Sequence, residues 1–410
     1  MRVPLEPRRT VADLKELREL TGDEEGAQRV AWTETWERAR KWLRDKIAET
    51  GAEEEVDAAG NQWFTLRGSS ERAVLIGGHI DSVPNGGWLD GALNLVAGVE
   101  VLRRIAEEGT PPVTVRLVNW ADEEGARFGR SLFGSSAAAG SMTDQEELRG
   151  LRDRDGVTLP DALREFGVDL DRALDAQSQL ENAAAYLELH IEQGPVLESL
   201  DLPLGVVLGT FGVERHRITW QGQAAHAGST PMDQRRDALA GASKLALEIR
   251  EVAARIGDGG VCTSGGVVCN PGIVTSVVET AEQLLDQRHL DGEKLASLLE
   301  QAKEASMRFA TEEDLEVKWE RLWSIEPILF DETLVGFCDE AIHDVAGTSH
   351  MLASGPLHDA AEVSRAGVPT VMMFVQSLRG LSHTKLEDTR EEHLELAVHA
   401  FDRLASKTIG

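Results

Sequence analysis

Three short apolar segments, far apart in the chain, each lead into side chains that bind metals or transfer protons. The segments are residues 73–76, 113–120 and 184–189, and the side chains that follow them are His79, Glu124 and His190. Apolar runs of this length predict buried β-strands, and their alternation with helical patterns predicts a mainly parallel sheet between helix layers. Because sites in open α/β sheets form outside the carboxyl ends of the strands, we expect these polar ends to meet.

The first segment is followed by a pair of residues that suits a metal site. His79 and Asp81 are two residues apart and so lie on one face of an extended chain. An imidazole that binds a metal usually donates its other ring N–H to a carboxylate, so Asp81 is predicted to orient His79. Asp90 closes a glycine-rich turn before a helical pattern at residues 92–107, and its two oxygens could reach two ions.

The second segment ends in adjacent glutamates, Glu123 and Glu124. Neighbouring carboxylates repel each other unless a positive group lies beside them. A metal centre provides that charge, with one glutamate as ligand and the other as proton shuttle. From the residues alone two alternatives stay open, an exposed acidic turn for this pair and a structural histidine for His190.

Composition restricts the class of protein. The formal net charge of −29 argues against nucleic acid and anionic membrane surfaces as partners. Residues 1–9 lack the apolar core of a signal peptide and no apolar run approaches membrane-spanning length, so a cytoplasmic location is predicted. The three cysteines are too few and too oddly spaced for a disulfide framework.

The pattern changes near residue 205, where a small α+β domain is predicted to be inserted into the first one. A strand is expected at 213–220 and helices at 236–256 and 295–309, with residues 259–266 interrupting the pattern between them. Further strands are expected at 272–278 and 281–287. The predicted boundaries are residues 1–208 and 324–410 for the two parts of the catalytic domain and 209–323 for the inserted domain.

Six motifs in order along residues 70–390 resemble one family. They are residues 78–84 (GHIDSVP), 90–92 (DGA), 123–128 (EEGARF), 190–194 (HIEQG), 226–232 (HAGSTPM) and 382–383 (SH). Together they resemble the hydantoinase/carbamoylase family of binuclear metal amidases, which shares its fold with the aminoacylase-type dimetal peptidases. The resemblance implies an aminoacylase-type dimetal catalytic domain of the α/β class with a mainly parallel sheet, and an inserted α+β domain that acts as lid and dimerisation domain.

The resemblance also implies a ligand set for two divalent metal ions per subunit. His79 and His190 would bind one ion, Glu124 and His383 the other, and Asp90 would bridge them. Ions in such sites lie about 3.5–4 Å apart. Mixed nitrogen and oxygen ligands suit zinc, manganese, cobalt or nickel, and the sequence does not choose among them.

The same resemblance assigns catalytic roles to two residues. Glu123 would act as general base on the attacking water and then as acid toward the leaving nitrogen. His226 would stabilise the oxyanion from the partner subunit, which implies a homodimer.

Substrate contacts are implied at four further positions. Arg288 would hold the substrate carboxylate and Gln193 would contact the ureido group. Thr275 stands where the family often has asparagine. His358 is expected either to line the site or to be a structural residue. It lies in a loop, residues 354–360, that departs from the family's glycine-rich pattern through Pro356 and Leu357.

The predicted function is therefore metal-dependent hydrolysis of an N-carbamoyl-L-amino acid, a small-molecule ureido acid, to the amino acid, carbon dioxide and ammonia. The alternatives are an allantoate or ureidoglycolate amidohydrolase and an N-acyl amino acid amidohydrolase. A binding or regulatory protein that has lost its chemistry is disfavoured, because such a protein has no use for an unligated glutamate such as Glu123 beside a complete ligand set.

Overall fold

The chain forms two compact units. The structure, a computed structural model, describes residues 5–410. The first unit comprises the described residues up to Gly209 together with Phe330–Gly410, and the second is Thr210–Leu329. Each has its own buried apolar cluster.

In chain order, the strands are β1 (Gly22–Asp23), β2 (Gly26–Ala27), β3 (Glu53–Val56), β4 (Gln62–Leu66), β5 (Ala73–His79), β6 (Thr114–Trp120), β7 (Ala183–Ile191), β8 (Leu204–Thr210), β9 (Gly212–Gln221), β10 (Ala225–His226), β11 (Val261–Asn270), β12 (Ser276–Val277), β13 (Thr280–His289), β14 (Glu316–Ile325), β15 (Ile328–Leu329), β16 (Met351–Ser354) and β17 (Thr370–Val375). The helices are α1 (Pro7–Thr21), α2 (Glu34–Ile47), α3 (Ala92–Glu108), α4 (Phe133–Ala139), α5 (Gln145–Leu148), α6 (Leu159–Glu165), α7 (Val196–Ser199), α8 (Ala238–Ile256), α9 (Gly292–Glu312), α10 (Glu332–Ala346), α11 (Asp359–Arg365) and α12 (Glu391–Ile409).

The larger sheet includes the run β8-β17-β7-β5-β6-β4-β3. Its central strands β17, β7, β5 and β6 are parallel, whereas β8, β4 and β3 join them in antiparallel pairs. Every residue of β5 and β17 is buried, as expected of strands covered on both faces. The predicted α/β class with a mainly parallel central sheet is confirmed.

The helices beside this sheet bury the apolar faces that the sequence predicts, with one exception. In α3 the stripe Leu95, Val96, Val99 and Leu102 is buried. In α1 the side chains of Val11, Leu14 and Leu17 are buried, but Leu20 is 43% exposed because the helix ends one residue later, at Thr21. Leu20 therefore lies outside the buried face of α1.

The second unit is an antiparallel sheet packed against two long helices. Its strand order is β11-β13-β9-β14, and Ile218 and Trp220 of β9 pack with Leu245 of α8 in its apolar cluster. Asp237 and Asp291 cap the amino ends of α8 and α9 by accepting hydrogen bonds from backbone N–H groups.

The sequence pattern missed one strand of the second unit. The glycine-rich residues 259–266 follow the end of α8 at Ile256, as expected of a segment that breaks that helix, but most of them lie in β11, which pairs with β13. The pairing contains a register shift between Ser264 and Gly266, so the two adjacent glycines produce a local irregularity and not the end of the strand.

Among residues 5–410, none of the helices combines the length and the apolar character needed to cross a lipid bilayer.

Candidate metal centre

The predicted metal ligands follow the carboxyl ends of the parallel strands. His79 is the last residue of β5, His190 lies near the end of β7, and Glu124 follows β6. Asp90 lies in the loop between β5 and α3, and His383 lies in the loop between β17 and α12. The parallel sheet therefore brings together five side chains from distant parts of the sequence.

Asp90 lies at the centre of this group. Its Oδ1 atom lies 3.1 Å from His190 Nε2 and 3.7 Å from His79 Nε2. Its Oδ2 atom lies 3.5 Å from His383 Nε2, which in turn lies 3.3 Å from Glu124 Oε2. Each carboxylate oxygen of Asp90 thus faces a different pair of candidate ligands, as the predicted bridging role requires.

Three sets of side chains bring ligand atoms within 4.8 Å of one another. They are His79, Asp90 and His190; Asp90, Glu124 and His383; and His79, Glu123 and Glu124. The first two sets match the two ions implied by the family resemblance. The third set contains Glu123, whose Oε2 lies 3.8 Å from His79 Nε2, so the assignment of ligand and base within the glutamate pair stays a prediction.

Burial and charge in this group match the chemistry of a divalent cation. Burial, together with the neighbouring negative charges, raises the pKa of Glu123 and of Glu124 well above the usual range. Burial opposes the charge of His79, but the carboxylates of Glu123, Asp81 and Asp90 outweigh it and raise the pKa of the imidazole. Glu124 Oε1 is buried without a hydrogen-bond partner. Two buried imidazoles and three carboxylates, one with an orphaned oxygen, fit the ligand preferences of zinc and similar ions.

Asp81 supports the glutamate loop as well as His79. Its carboxylate accepts hydrogen bonds from the backbone N–H of Glu123 at 3.3 Å and of Glu124 at 3.2 Å. His79 Nδ1 lies 3.2 Å from the backbone oxygen of Asp81 and 3.6 Å from its Oδ1 atom. The predicted contact between Asp81 and His79 is thus made through the backbone oxygen, and the carboxylate chiefly holds the loop that carries both glutamates.

Gln193 lies beside Asp90. Its side-chain amide donates to Asp90 Oδ2 at 2.9 Å and to Ser382 Oγ at 3.1 Å. Its Oε1 atom is buried without a partner. The structure therefore pairs this side chain with the Asp90 carboxylate, and its contact with a ureido group stays a prediction.

His358 packs against a candidate ligand. Its ring centroid lies 4.4 Å from that of His190. The Ser354 hydroxyl donates to the backbone oxygen of Pro356 at 2.9 Å, so His358 Nε2, also 2.9 Å from Ser354 Oγ, must be the donor in that second contact. Burial and the adjacent His190 lower the pKa of His358 well below its usual value. The lowered pKa favours the neutral imidazole, and the contact with Ser354 favours the tautomer with its proton on Nε2.

The second unit carries the other three predicted residues. His226 on β10 and Thr275 beside β12 are exposed, and β10 and β12 pair with each other, so the two residues are neighbours. The guanidinium of Arg288, on β13, contacts the Asp286 carboxylate, with Nε 2.7 Å from Oδ1. Asp286 also accepts a hydrogen bond from Arg215 Nε at 2.7 Å. The roles of these residues stay predictions.

Two buried residues beside the cluster were not singled out from the sequence. Arg29 is fully buried; its Nε donates to the backbone oxygen of Ile80, and both Nη atoms lack a hydrogen-bond partner. The Glu387 carboxylate accepts the backbone N–H groups of Leu89 and Asp90. Arg29 and Glu387 are charged residues in irregular segments, which give no periodic pattern in the sequence. They are recognised by their burial, which is unusual for charged side chains.

Comparison with known proteins agrees with this geometry. Residues 75–407 match Peptidase family M20/M25/M40. The chain is 36% identical to an N-carbamoyl-L-amino acid amidohydrolase of Geobacillus stearothermophilus, over 90% of each chain. It is 32% identical to an allantoate amidohydrolase of Escherichia coli (strain K12), over 89% of this chain and 88% of the relative. A crystal structure of a hydantoinase/carbamoylase family amidase from Burkholderia multivorans superimposes with a TM-score of 0.89 at 29% identity, covering 99% of this chain and 98% of the other.

Proposed function

Because the chain belongs to Peptidase family M20/M25/M40, we propose that it is a metal-dependent amidohydrolase that cleaves the linear amide C–N bond of an N-carbamoyl-L-amino acid. The products are the free amino acid, carbon dioxide and ammonia. One observation carries this proposal: Asp90 directs one oxygen toward His190 and the other toward His383, and a further glutamate, Glu123, lies beside the group. The carbamoyl substrate class is supported by the name of the Geobacillus relative.

A second candidate substrate is allantoate. It is favoured by the similarity to the Escherichia coli allantoate amidohydrolase over most of both chains. Both substrates present a ureido carbonyl next to a carboxylate, so the same catalytic group serves either. They differ in the number of polar groups that the pocket must satisfy.

The candidate cofactors are two divalent ions per subunit, drawn from zinc, manganese, cobalt and nickel. His79, Asp90 and His190 would hold one ion, and Asp90, Glu124 and His383 the other. When bound, such ions polarise a carbonyl and lower the pKa of a water molecule toward neutrality.

Glu123 performs the proton transfers in this proposal. Its carboxylate takes a proton from the attacking water as the new C–O bond forms at the ureido carbon. It then gives that proton to the nitrogen whose bond to the same carbon breaks. The carbamic acid that remains loses carbon dioxide, which breaks the second C–N bond and releases the other nitrogen as an amine or ammonia. Burial, which raises the pKa of the Glu123 carboxyl in the absence of metal ions, acts in the direction that lets a glutamate hold a proton.

The second unit supplies binding groups in this proposal. His226 donates a hydrogen bond to the ureido oxygen as negative charge develops there, and the chain acts as a homodimer in which the partner contributes this histidine. Arg288 binds the substrate carboxylate with two parallel N–H groups. Asp286 supports that role because it holds the guanidinium on one side.

A substrate panel with defined metals tests the proposal. The metal-free full-length protein is loaded with zinc, manganese, cobalt or nickel and supplied with N-carbamoyl-L- and D-amino acids, allantoate, ureidoglycolate and N-acetyl amino acids. Ammonia and free amino acid are then measured. We expect ammonia from N-carbamoyl-L-amino acids and not from their D enantiomers. Ammonia from allantoate alone would select the second candidate, and cleavage of N-acetyl amino acids without ammonia release from any ureido acid would overturn both.

A further inference from the structure

Glu387 connects two loops of the metal centre that are far apart in the sequence. Its Oε1 atom accepts hydrogen bonds from the backbone N–H of Leu89 and of Asp90, both at 3.0 Å. Glu387 and Asp90 are separated by 297 positions. One carboxylate oxygen therefore fixes the backbone at the residue that faces both pairs of candidate ligands.

The second oxygen of Glu387 reaches the side chain of Asp90 through a serine. Ser382 Oγ lies 3.0 Å from Glu387 Oε2 and 2.9 Å from Asp90 Oδ2. Ser382 also precedes His383, a candidate ligand of the second ion. The serine has one hydroxyl proton and donates to one of these carboxylates at a time. Glu387 thus contacts the backbone of Asp90 and a serine that also lies against the Oδ2 atom of Asp90.

The turn before Asp90 is shaped around this carboxylate. A Cβ atom at Gly87 would lie 2.0 Å from the carboxyl carbon of Glu387. Both residues are buried, so neither can move into solvent to relieve that overlap. An alanine at position 87 would therefore displace the Glu387 carboxylate from the place that it occupies.

We propose that Glu387 is a positioning residue for the metal centre, which sets the location and orientation of Asp90 and, through Ser382, of the loop that carries His383. This inference rests on the proposed function, in which Asp90 is the ligand shared by the two ions. Residues that support metal ligands in this way typically contribute about 10–100-fold to metal affinity or activity.

The decisive measurement is metal affinity, because a residue that serves only folding would leave it unchanged. Cobalt is titrated into the metal-free full-length protein, and binding is followed by its visible absorption and by competition with a chromophoric chelator. The variants are Glu387→Ala and Glu387→Gln. Glutamine keeps an oxygen for the two backbone N–H groups and donates to Ser382 Oγ, which leaves the serine hydroxyl free to donate to Asp90.

We expect Glu387→Ala to bind cobalt about 10–100-fold more weakly, with an altered absorption spectrum and a lower kcat at saturating metal but an unchanged KM. Glu387→Gln should restore most of the affinity and the wild-type spectrum. The matched control is Glu100→Ala: Glu100 is 1% exposed and accepts the backbone N–H of Glu6 at 2.7 Å, so its loss should lower the melting temperature and leave cobalt binding intact.

A double-mutant cycle keeps the test decisive if the alanine variant is unstable. Gly87→Ala in the wild-type background should weaken cobalt binding, because its Cβ atom displaces Glu387. In the Glu387→Ala background the same change should weaken cobalt binding only slightly, since the space that the Cβ atom enters is then empty. Additive effects of the two changes, or wild-type cobalt affinity in folded Glu387→Ala, would overturn the proposal.

These outcomes are separable from failure of the proposed function. If the wild-type protein binds fewer than two cobalt ions or hydrolyses no ureido acid, the proposed function fails whatever the variants do. If the wild-type protein binds two ions and is active, but Glu387→Ala equals it in affinity, spectrum and kcat, only the role of Glu387 is overturned.

Discussion

The two units carry their candidate functional residues in contrasting environments. In the first unit His79, Asp90 and His190 are at most 3% exposed, and His383 is the exposed member of the candidate ligand set. In the second, His226 and Thr275 are exposed. A buried polar group costs free energy unless it is compensated, so the first cluster must be satisfied by its surroundings or by a cation. An exposed residue carries no such requirement. Burial therefore argues for function in the first unit, whereas the second must be tested by activity.

The largest expected effect separates the two glutamates of the buried cluster. Glu123→Gln should lower kcat by about 10²–10⁴-fold, the usual contribution of general acid–base catalysis, and should retain both metal ions. Metal content is measured by elemental analysis beside the kinetics. Glu146→Gln, at a side chain that is 93% exposed, is the control and should change neither quantity. Loss of an ion from Glu123→Gln would instead make Glu123 a ligand, as the third set of ligand atoms allows.

The exposed region is tested at His226. His226→Ala should lower kcat by about 10²–10³-fold, the value of one oxyanion donor, without changing metal content or melting temperature. His343→Ala, at another exposed histidine, is the matched control and should have no effect.

A mixing experiment tests whether His226 acts across subunits. Hybrids of His226→Ala and Glu123→Gln chains contain one intact site if each site uses His226 of the partner, so activity should reappear on mixing. A mixture that stays inactive, although subunit exchange is demonstrated with a labelled chain, would place His226 in its own subunit's site.

A smaller effect is expected at Arg288. Arg288→Lys keeps the charge but loses the planar pair of donors, so KM should rise by about 10–100-fold while kcat changes little. Arg215→Lys is the matched control, because Arg215 binds the same Asp286 carboxylate. An equal rise in KM for both variants would indicate that the effect arises from Asp286 and not from substrate.

The smallest expected effect is the number of protons released when metal ions bind. Burial first, and neighbouring charges second, raise the pKa of Glu123 and Glu124, and the carboxylates around His79 raise the pKa of its imidazole, so the metal-free cluster holds protons near neutral pH. Metal binding requires the deprotonated ligands, so it should release protons, and metal affinity should fall as the pH is lowered. Calorimetry in buffers of different ionisation enthalpy measures the release. A heat of binding independent of the buffer would contradict this expectation.

Much of the first unit could be predicted because its pattern is simple. Strands such as β5 and β17 are continuous apolar runs, and the polar residues that follow them lie at one edge of a parallel sheet. The convergence of His79 and His190 follows from that geometry alone. In the second unit, β11 could not be predicted from its own residues, since its alternation is interrupted by Gly265 and Gly266 and its pairing with β13 overrides the local preference.

Within the candidate site, the side chains that support the ligands were harder to predict than the ligands. Glu387 lies in an irregular segment, and its contacts depend on a loop 297 positions away. Asp81 was expected to contact His79. Its hydrogen bonds with the backbone N–H groups of Glu123 and Glu124 depend on the conformation of a second loop. Such contacts leave no periodic pattern in the sequence, so they are recognised only in a three-dimensional structure.

The place of β17 has a consequence for synthesis of the protein. It is the last strand of the chain, yet it lies between β7 and β8, and His383 follows it. A nascent polypeptide on the ribosome therefore has a gap in its sheet until β17, which ends at Val375, has left the exit tunnel. Products of premature termination upstream of that point lack both β17 and the candidate ligand His383.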